Sequence, residues 1–388
     1  MIRAVLIGVT GYGAFYLSQL LRLVDENRVQ LLGAVIRNPD LAKSQIELVQ
    51  SNGARVFSTT DEMFAALNAG IDLCCIPTEL SSHASLTIQA LERGCHVLVE
   101  KPAAVTVQDI DAMRSAARKA DRKVMVGFQN IYNDDIQYIK RELLNGSVGQ
   151  VQTIKMLGLW RRDAAYFNRN AWAGKLRVGR DWVLDSPANN AFAHFINILC
   201  FLAGPKFEES SELSSMQAEL YRAMSIESFD TAFVKAVTSS GILLHFSVTH
   251  ACAEMVDPQI QIIGSTGEIS WSLKGKESVN ESRVVMFDKV IDHLNGSDDL
   301  VCDLDIAYSL TQVINAMHVA ASITQIAEQN YSVIPSDSGD QIAINNIEGI
   351  VEECYQEIRL PGELNIPWAR STEMMDCSDF DFFAGPKP

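Results

Sequence analysis

Short apolar runs alternate with amphipathic stretches along the first 128 residues. The apolar runs are nearly unbroken, which is typical of strands buried on both faces of a sheet, and the stretches between them have helical spacing. Because strands that alternate with helices favour parallel pairing, residues 1–128 are predicted to form a doubly wound, Rossmann-like α/β domain. The predicted strands are residues 2–8, 29–36, 56–57, 72–77, 96–100 and 123–128.

The pattern changes after residue 128. Strands now follow one another, and turn-like stretches at 239–241 and 264–267 join two pairs of them, which predicts antiparallel pairing. Residues 129–360 are predicted to form an α+β domain with a large, open, mainly antiparallel sheet that is covered by helices on one face, and residues 361–388 a C-terminal tail. The predicted strands are 150–160, 216–224, 230–238, 242–251, 259–264, 268–273 and 283–289, and the covering helices are 188–203, 305–329 and 340–357.

Composition narrows the class of protein. The chain has 388 residues with a net charge of −16, which argues against nucleic-acid binding because phosphate affinity needs clustered Lys and Arg. No apolar run approaches the roughly 18–20 residues of a membrane span. Eight cysteines are scattered without a CxxC pair and mostly lie in apolar runs, which is typical of reduced thiols in a cytoplasmic protein.

A glycine-rich stretch, GVTGYG, follows the first strand and precedes a helix. Glycines there allow a tight turn and let backbone N–H groups approach a pyrophosphate. The spacing departs from GxGxxG, since a threonine takes the middle position, and a glycine turn without a ligand is the alternative. The position at the start of repeated βα units favours dinucleotide binding. The cofactor contacts predicted here are Gly8, Thr10, Gly11, Tyr12 and Gly13.

The end of the second strand bears on the choice between NADP and NAD. A carboxylate there would accept the ribose hydroxyls of NAD, but Ile36 and Arg37 occupy this position. Because Arg37 can pair with a 2′-phosphate, the sequence favours NADP. The competing interpretation is NAD, with Asp40 turned back toward the ribose.

Polar residues also follow the fourth and fifth strands. Ligands of an open parallel sheet bind beyond the carboxyl ends of its strands, so Pro77, Thr78, Glu100 and Lys101 are predicted to line the cofactor crevice. His83 begins the next helix, where it either caps the helix at the surface or approaches the cofactor.

These segments together resemble the Gfo/Idh/MocA oxidoreductases, a family that includes glucose–fructose oxidoreductase and inositol dehydrogenase. The resemblance implies an NAD(P)-binding first domain, a cis peptide bond before Pro102, and an open sheet that commonly pairs subunits, hence a homo-oligomer (a dimer or a tetramer). Besides the glycine loop, it rests on CCIPTELSSHASLTIQALERGCHVLVEKPAAVT (74–106), VGFQNIY (126–132) and WAGKLRVGRDWVLDSPANNAFAHFINILCFLAG (172–204).

The resemblance also implies three catalytic positions. Lys101 matches the family's lysine and His194 its histidine, but Asn190 stands where the family has aspartate four residues before the histidine. Asp185 is a nearby carboxylate that could substitute. The spacing alone, without the resemblance, places Asn190, His194 and Asn197 on one face of an apolar helix. This pattern indicates either a core histidine whose hydrogen bonds are made within the protein or a polar stripe that faces a ligand.

A long aromatic and basic segment, residues 160–182, precedes that helix. Aromatic faces and guanidinium groups suit sugar hydroxyls or a carboxylate, and an oligomer contact is the alternative. His245 and His250 lie in a strand without a third ligand at metal spacing, so no catalytic metal is predicted. The substrate contacts predicted are Arg161, Arg162, Tyr166, Trp172, Arg180, Asp185 and Asn197.

The first functional hypothesis is therefore an NAD(P)-dependent oxidoreductase acting on a secondary hydroxyl or carbonyl of a sugar, cyclitol or related polyol. The absence of the family's aspartate favours a second hypothesis, a non-catalytic cofactor-binding sensor or regulator. A third is an NAD-dependent glycosidase that retains its cofactor.

Overall fold

The computed structural model describes residues 1–67, 70–273, 275–336 and 339–387; the last residue of the predicted tail, 388, lies outside the described residues. The chain divides into two compact units. The first comprises residues 1–104, 108–132 and 279–307, and the second residues 105–107, 133–278 and 308–388. The described helices are α1 (Tyr12–Asp25), α2 (Lys43–Ser51), α3 (Thr60–Leu67), α4 (His83–Glu92), α5 (Val107–Ala120), α6 (Asp134–Leu144), α7 (Ala164–Asn168), α8 (Ala193–Ala203), α9 (Gly275–Leu294), α10 (Leu304–Ala320) and α11 (Ile347–Glu357).

The first unit contains the predicted parallel sheet, which has six strands within the described residues. The strands are β1 (Ile2–Ile7), β2 (Val29–Val35), β3 (Arg55–Phe57), β4 (Leu73–Ile76), β5 (His96–Val99) and β6 (Val124–Val126). Across the sheet their order is β3-β2-β1-β4-β5-β6. The chain moves outward to one edge from β1 to β3 and to the other edge from β4 to β6, so a topological switch point lies between β1 and β4. Ligand crevices of open α/β sheets form at such a switch point, beyond the carboxyl ends of the strands.

Helix α9 also belongs to the first unit, although the sequence predicted a strand at 283–289 in the second domain. That prediction is wrong. A short apolar run fits a strand or a buried helix equally well, and only tertiary contacts decide between them. Here Phe287 packs edge-on against Tyr16 at 4.9 Å, and Asp288 accepts hydrogen bonds from Arg22 at 2.9 Å and Arg28 at 2.5 Å.

The second unit is built on the mainly antiparallel sheet that the sequence predicts. The strands of this unit are β7 (Val151–Leu159), β8 (Arg177–Val178), β9 (Asp181–Trp182), β10 (Leu213–Arg222), β11 (Thr231–Thr238), β12 (Leu243–Thr249), β13 (Val256–Gly264), β14 (Glu268–Ser272), β15 (Ile323–Gln325), β16 (Tyr331–Ile334), β17 (Gln341–Ile344) and β18 (Met375–Asp376). The main sheet runs β14-β13-β7-β12-β11-β10-β15. Its parallel pairs are β7 with β12 and β10 with β15.

Helices cover both faces of this sheet rather than the one face predicted. Gly158 of β7 makes room for the Phe192 ring just before α8, because a Cβ there would lie 2.5 Å from that ring. Lys155, three positions earlier, points to the opposite face and donates to the Tyr355 carbonyl of α11 at 3.0 Å. Two of the predicted covering helices are also shorter than expected, since α10 ends at Ala320 and residues 341–344 form β17.

The C-terminal tail lies along β10. Strand β18 pairs with Ser215 and Met216, and the Thr372 hydroxyl donates to the Ala218 carbonyl at 2.8 Å. The Gly362 N–H donates to the buried Glu219 carboxylate at 3.0 Å. The tail therefore continues the second unit. Among the described residues, no helix is long and apolar enough to cross a membrane.

Candidate functional site

The glycine loop of the first unit has the conformation that phosphate binding requires. Gly8 and Gly11 adopt positive φ angles of 92° and 58°, and α1 begins directly after them without an acidic residue in its first turn. A Cβ on Gly13 would lie 2.4 Å from the Gly8 carbonyl oxygen, so only glycine fits there. The positive end of a helix, free of carboxylates, fits the pyrophosphate of a dinucleotide.

The end of β4 lies beside this loop, as the sequence predicts. A Cβ on Gly8 would lie 3.5 Å from the Thr78 side chain, and one on Gly13 would lie 3.6 Å from the Pro77 ring. Thr10 and Gly11 are exposed at the tip of the loop, and Tyr12 is half-buried behind them. The backbone thus brings the predicted cofactor contacts of β1 and β4 together.

His83 is 1% exposed, so its interpretation as a surface cap is wrong. Its Nδ1 lies 2.8 Å from the Pro102 carbonyl oxygen and its Nε2 3.1 Å from that of Thr78. Burial lowers the pKa of His83 below its ordinary value, with a smaller contribution from the nearby Lys101 charge. The ring therefore ties together the loops that follow β4 and β5.

Glu100 and Lys101 follow β5, and the Lys101–Pro102 peptide bond is cis. The buried Glu100 carboxylate accepts hydrogen bonds from the Tyr16 hydroxyl at 3.0 Å and from the Lys101 N–H at 2.9 Å. Gly127 leaves room for it, since a Cβ there would lie 2.5 Å from Glu100 Oε1. Burial raises the pKa of Glu100 to about 7, against the opposing charge of Lys101. Glu100 thus fixes the backbone that carries the half-buried Lys101 side chain.

The end of β2 carries both residues considered for cofactor choice. Ile36 is buried, whereas Arg37 and Asp40 are exposed. The exposed guanidinium and the exposed carboxylate leave both nicotinamide cofactors chemically possible at this strand end.

In the second unit, the predicted helix 188–203 is two elements. Residues Pro187–Ala191 form a π-helical turn, and α8 begins only at Ala193. The prediction that Asn190, His194 and Asn197 share one α-helical face is therefore wrong for Asn190. The turn is capped by Ser186, whose Oγ accepts from the Asn189 N–H at 3.1 Å. Short π-helical segments are frequent at functional sites, where they reorient side chains.

This turn brings Asn190 to Asp185. Asn190 Nδ2 donates to Asp185 Oδ1 at 3.0 Å and approaches the Tyr166 hydroxyl at 3.4 Å. Asp185 is 5% exposed, and its Oδ2 accepts the Gly174 N–H at 2.7 Å. The Asp185 carboxylate thus accepts a hydrogen bond from Asn190, which stands where the family resemblance implied an aspartate. We call Tyr166, Asp185 and Asn190 the polar cluster.

The remaining residues of the predicted stripe differ in exposure. His194 is half-buried in the first turn of α8, whereas Asn197 is 0% exposed. The role of Asn197 as a substrate contact stays a prediction, and its buried Nδ2 and Oδ1 have no hydrogen-bond partner among the described residues. Within the described ranges, no group of three or more His, Cys, Asp or Glu side chains could hold a metal ion.

Comparison with known proteins bears on the first unit most directly. The model of the Gfo/Idh/MocA family, described as an oxidoreductase family with an NAD-binding Rossmann fold, matches residues 2–128. Residues 2–128 of this chain are therefore similar to the NAD-binding domain of the Gfo/Idh/MocA oxidoreductases.

Two curated relatives show how far the sequence similarity extends. The chain is 29% identical over 241 residues to a 1-carboxy-3-chloro-3,4-dihydroxycyclohexa-1,5-diene dehydrogenase of Comamonas testosteroni, which covers 61% of this chain and 57% of that protein. It is 24% identical to a myo-inositol 2-dehydrogenase of Thermotoga maritima, over 56% of this chain and 60% of that protein. The matches thus span less than two thirds of these relatives.

Solved structures extend the similarity of fold over most of the chain. The WlbA dehydrogenase of Bordetella pertussis, solved with NADH and UDP-GlcNAcA, has a TM-score of 0.69 at 22% identity, over 81% of this chain and 95% of that one. A myo-inositol dehydrogenase of Corynebacterium glutamicum has a TM-score of 0.64 at 17% identity, over 82% and 95%. At this identity the likeness shows a shared fold alone.

In the second unit, the predicted substrate segment separates into two groups. Arg162 and Tyr166 lie together, with the guanidinium carbon 4.8 Å from the ring centroid. Arg161 instead donates to the Ala253 carbonyl at 2.6 Å, and Arg180 lies in the exposed turn between β8 and β9. Trp172 joins the first group through Arg169, whose guanidinium carbon lies 5.0 Å from its ring.

Two residues beside the polar cluster were missed from the sequence. Arg169 stacks on Tyr166 at 3.7 Å, and the buried His250 ring lies 5.9 Å from the same ring. Arg169 follows Tyr166 by three positions, which is the spacing of neighbours on one helical turn, so that signal was available. His250 reaches the cluster from β12 through tertiary packing, and its place on a predicted strand gave no such signal.

Proposed function

We propose that this protein is an NAD(P)-dependent oxidoreductase acting on a secondary hydroxyl or carbonyl of a sugar, cyclitol or related polyol. The observation that carries the proposal is the glycine loop, which places the acid-free N-terminus of α1 beside the ends of β1 and β4. The names of the relatives, which are dehydrogenases of hydroxylated rings, support the same reaction.

The residues have distinct roles in this proposal. NAD(P), when bound, exchanges the hydride with the substrate carbon. His194 takes the proton from the reacting hydroxyl, and Lys101 stabilises the developing alkoxide. Asn190 orients the substrate or His194, and Asp185 supplies the negative charge that Asn190 lacks.

The test is to replace Lys101 and His194 separately by alanine. Each variant should lose activity by roughly 10²–10⁴-fold, the range for a missing general acid or base. The assay follows reduced nicotinamide by absorbance across a panel of inositols, hexoses and uronates. Lys119→Ala, in the exposed last turn of α5, and His96→Ala, at the opposite end of β5, are the matched controls. Full turnover by both site variants would refute these roles.

The sensor and the glycosidase hypotheses give different outcomes in the same experiments. A sensor would bind NADH without turnover on the whole panel. A glycosidase would release sugar from a glycoside without added cofactor. The relatives' dehydrogenase names support hydride transfer over both alternatives.

For the cofactor, we propose a preference for NADP. It rests on the exposed Arg37 after β2, where the guanidinium can pair with a 2′-phosphate. The NADH in the Bordetella enzyme and the exposed Asp40 support the alternative, NAD. Arg37→Ala should raise the KM for NADP severalfold and leave that for NAD unchanged. A wild-type preference for NAD would refute the proposal.

A homo-oligomer, dimer or tetramer, and a cytoplasmic location remain predictions. The face of the sheet that carries Lys155 is occupied by the chain itself, since His245 Nε2 lies 3.3 Å from the Arg359 carbonyl and Lys235 pairs with Glu363 at 2.6 Å. We therefore propose that any oligomer pairs through another surface. Light scattering on the purified chain measures the oligomer size. All eight cysteines are buried, which suits a reducing compartment.

A further inference from the structure

We propose that the polyol substrate carries an oxyanion group, a carboxylate or a phosphate, and that Arg162 and Arg169 bind it. The inference rests on the proposed function for the reaction but on different residues for the recognition. It begins from the two guanidinium groups that pack against the Tyr166 ring beside the polar cluster.

The two arginines are held close to each other by one ring. The guanidinium carbon of Arg162 lies 4.8 Å from the centroid of Tyr166 and that of Arg169 lies 3.7 Å from it, so the two carbons are at most about 8.5 Å apart. The Tyr166 hydroxyl lies 3.4 Å from Asn190 Nδ2. One tyrosine side chain therefore separates the two positive charges from the amide of the polar cluster.

These guanidinium groups form no ion pair in the part of the chain that the structure describes, since neither lies within 4.0 Å of a carboxylate oxygen there. Arg162 donates to the Arg161 carbonyl at 2.9 Å and Arg169 to the Tyr166 carbonyl at 2.5 Å. The Nε of Arg162 is buried without a hydrogen-bond partner. Two like charges at this separation repel each other, and an oxyanion between them would relieve that repulsion.

The nearby carboxylates accept hydrogen bonds from other groups. Asp163 accepts the Tyr166 N–H at 2.9 Å as the cap of α7, and Asp185 accepts from the Gly174 N–H and the Asn190 amide. Burial together with the Arg162 charge lowers the pKa of the neighbouring His250 to about 3, which keeps it neutral. The two guanidinium groups have planar forks that match carboxylate and phosphate oxygens.

A purely structural role for the arginines is the competing explanation, because stacking alone stabilises an aromatic side chain. It predicts that their replacement impairs neutral and anionic substrates equally. The chain offers a matched control: Arg177 stacks on Trp182 at 3.4 Å in the hairpin β8–β9 of the same segment. Arg177→Gln removes a stacked guanidinium from a site that lacks the polar cluster.

The experiment compares kcat/KM for D-glucose, D-glucuronate and D-glucose 6-phosphate in the full chain. We expect the wild type to prefer at least one anionic sugar by tenfold or more. Arg162→Gln and Arg169→Gln should reduce that preference at least tenfold while leaving D-glucose within threefold, and Arg177→Gln should leave it unchanged. Arg162→Lys, which keeps the charge but loses the fork, should retain part of the preference. The better anion distinguishes carboxylate from phosphate recognition.

Thermal unfolding with the same three sugars separates this inference from the proposed function. If no sugar is turned over but an anionic one raises the Tm of the wild type and not of the two site variants, the proposed anion recognition is supported and the proposed oxidoreductase reaction is refuted. Turnover of D-glucose as good as that of both anionic sugars would overturn the recognition alone. Equal losses on neutral and anionic sugars in the site variants would also overturn it.

Discussion

The cofactor end of the first unit and the polar cluster of the second are built in different ways. In the first, backbone conformation does most of the positioning: glycines at 8, 11 and 13 shape the loop, and Glu100 and His83 tie strand ends to their neighbours. In the second, side chains from separate segments meet, since Asp185 comes from a loop, Asn190 from a π-helical turn and Tyr166 from helix α7.

The two regions should differ in how far they tolerate substitution. The glycine loop tolerates little change, because a Cβ on Gly13 would lie 2.4 Å from the Gly8 carbonyl oxygen. In a side-chain cluster, a charge can come from a different position in the chain. Here the Asp185 carboxylate, five residues before Asn190, accepts a hydrogen bond from the Asn190 amide. We infer that the reaction needs a negative charge in the cluster but not at one fixed position of the chain.

The largest effect should come from Gly13→Ala, which tests whether the first region depends on backbone space. The added Cβ meets the Gly8 carbonyl at 2.4 Å, and a backbone atom cannot yield as a side chain does. We expect a loss of about 3 kcal/mol in unfolding free energy and at least tenfold weaker NADH binding. Urea unfolding and fluorescence titration measure the two.

The control is Gly53→Ala, where nothing lies within 4 Å of the added Cβ and φ, unlike that of Gly13, is positive at 74°. It should cost about 1–2 kcal/mol, the strain of a left-handed residue, without affecting cofactor binding. A Gly13→Ala variant that is no less stable and binds NADH no more weakly than Gly53→Ala would contradict the role of close approach.

Asp185→Asn tests whether the second region depends on charge. The substitution keeps shape while it removes the carboxylate that accepts from Asn190 and Gly174. We expect kcat to fall about 100-fold, about 2.7 kcal/mol in activation free energy, with a smaller change in KM. Asp181→Asn, exposed in β9, is the control. Unchanged kcat in the site variant would limit Asp185 to a structural role.

Glu100→Gln tests the electrostatic part of the first region. The folded protein raises the pKa of Glu100 from 4.5 to about 7, so it binds more protons than the unfolded chain between these values. Stability from this group is complete below pH 4.5 and is lost as the pH rises through about 7. Between pH 5 and 8, the wild type should lose on the order of 2 kcal/mol relative to the variant. Denaturant unfolding at both pH values measures it, and parallel pH profiles would contradict the assignment.

His83→Ala should have the smallest effect. It removes the ring between the carbonyls of Thr78 and Pro102, so the two loops beside the cofactor lose a mutual support. We expect the KM for the cofactor to rise threefold to fivefold at nearly constant kcat, since about 1 kcal/mol is typical of a hydrogen bond. His96→Ala, at the other end of β5, should leave KM unchanged. A fall in kcat alone would indicate a direct chemical role for His83.

Sequence patterns located the first region well because its causes are local. Buried strands, the glycines and the charged residues after β5 occur in order along the chain, and each has a short-range physical reason. The same reasoning placed α9 wrongly and left His83 open between a surface cap and an approach to the cofactor, because packing against Tyr16 and contact with the Pro102 carbonyl join residues far apart in the chain.

The amino-acid sequence by itself determined the parallel sheet, the glycine loop, the strand ends at Thr78 and Lys101 and the family resemblance, since each depends on periodicity or on residues close together in the chain. Only the tertiary structure decided that a π-helical turn carries Asn190 to Asp185, that Asn197 is buried, and that Arg162 and Arg169 share the Tyr166 ring. Those relations depend on how the loops of the second unit pack, and helical spacing along the chain does not encode where a helix changes its pitch.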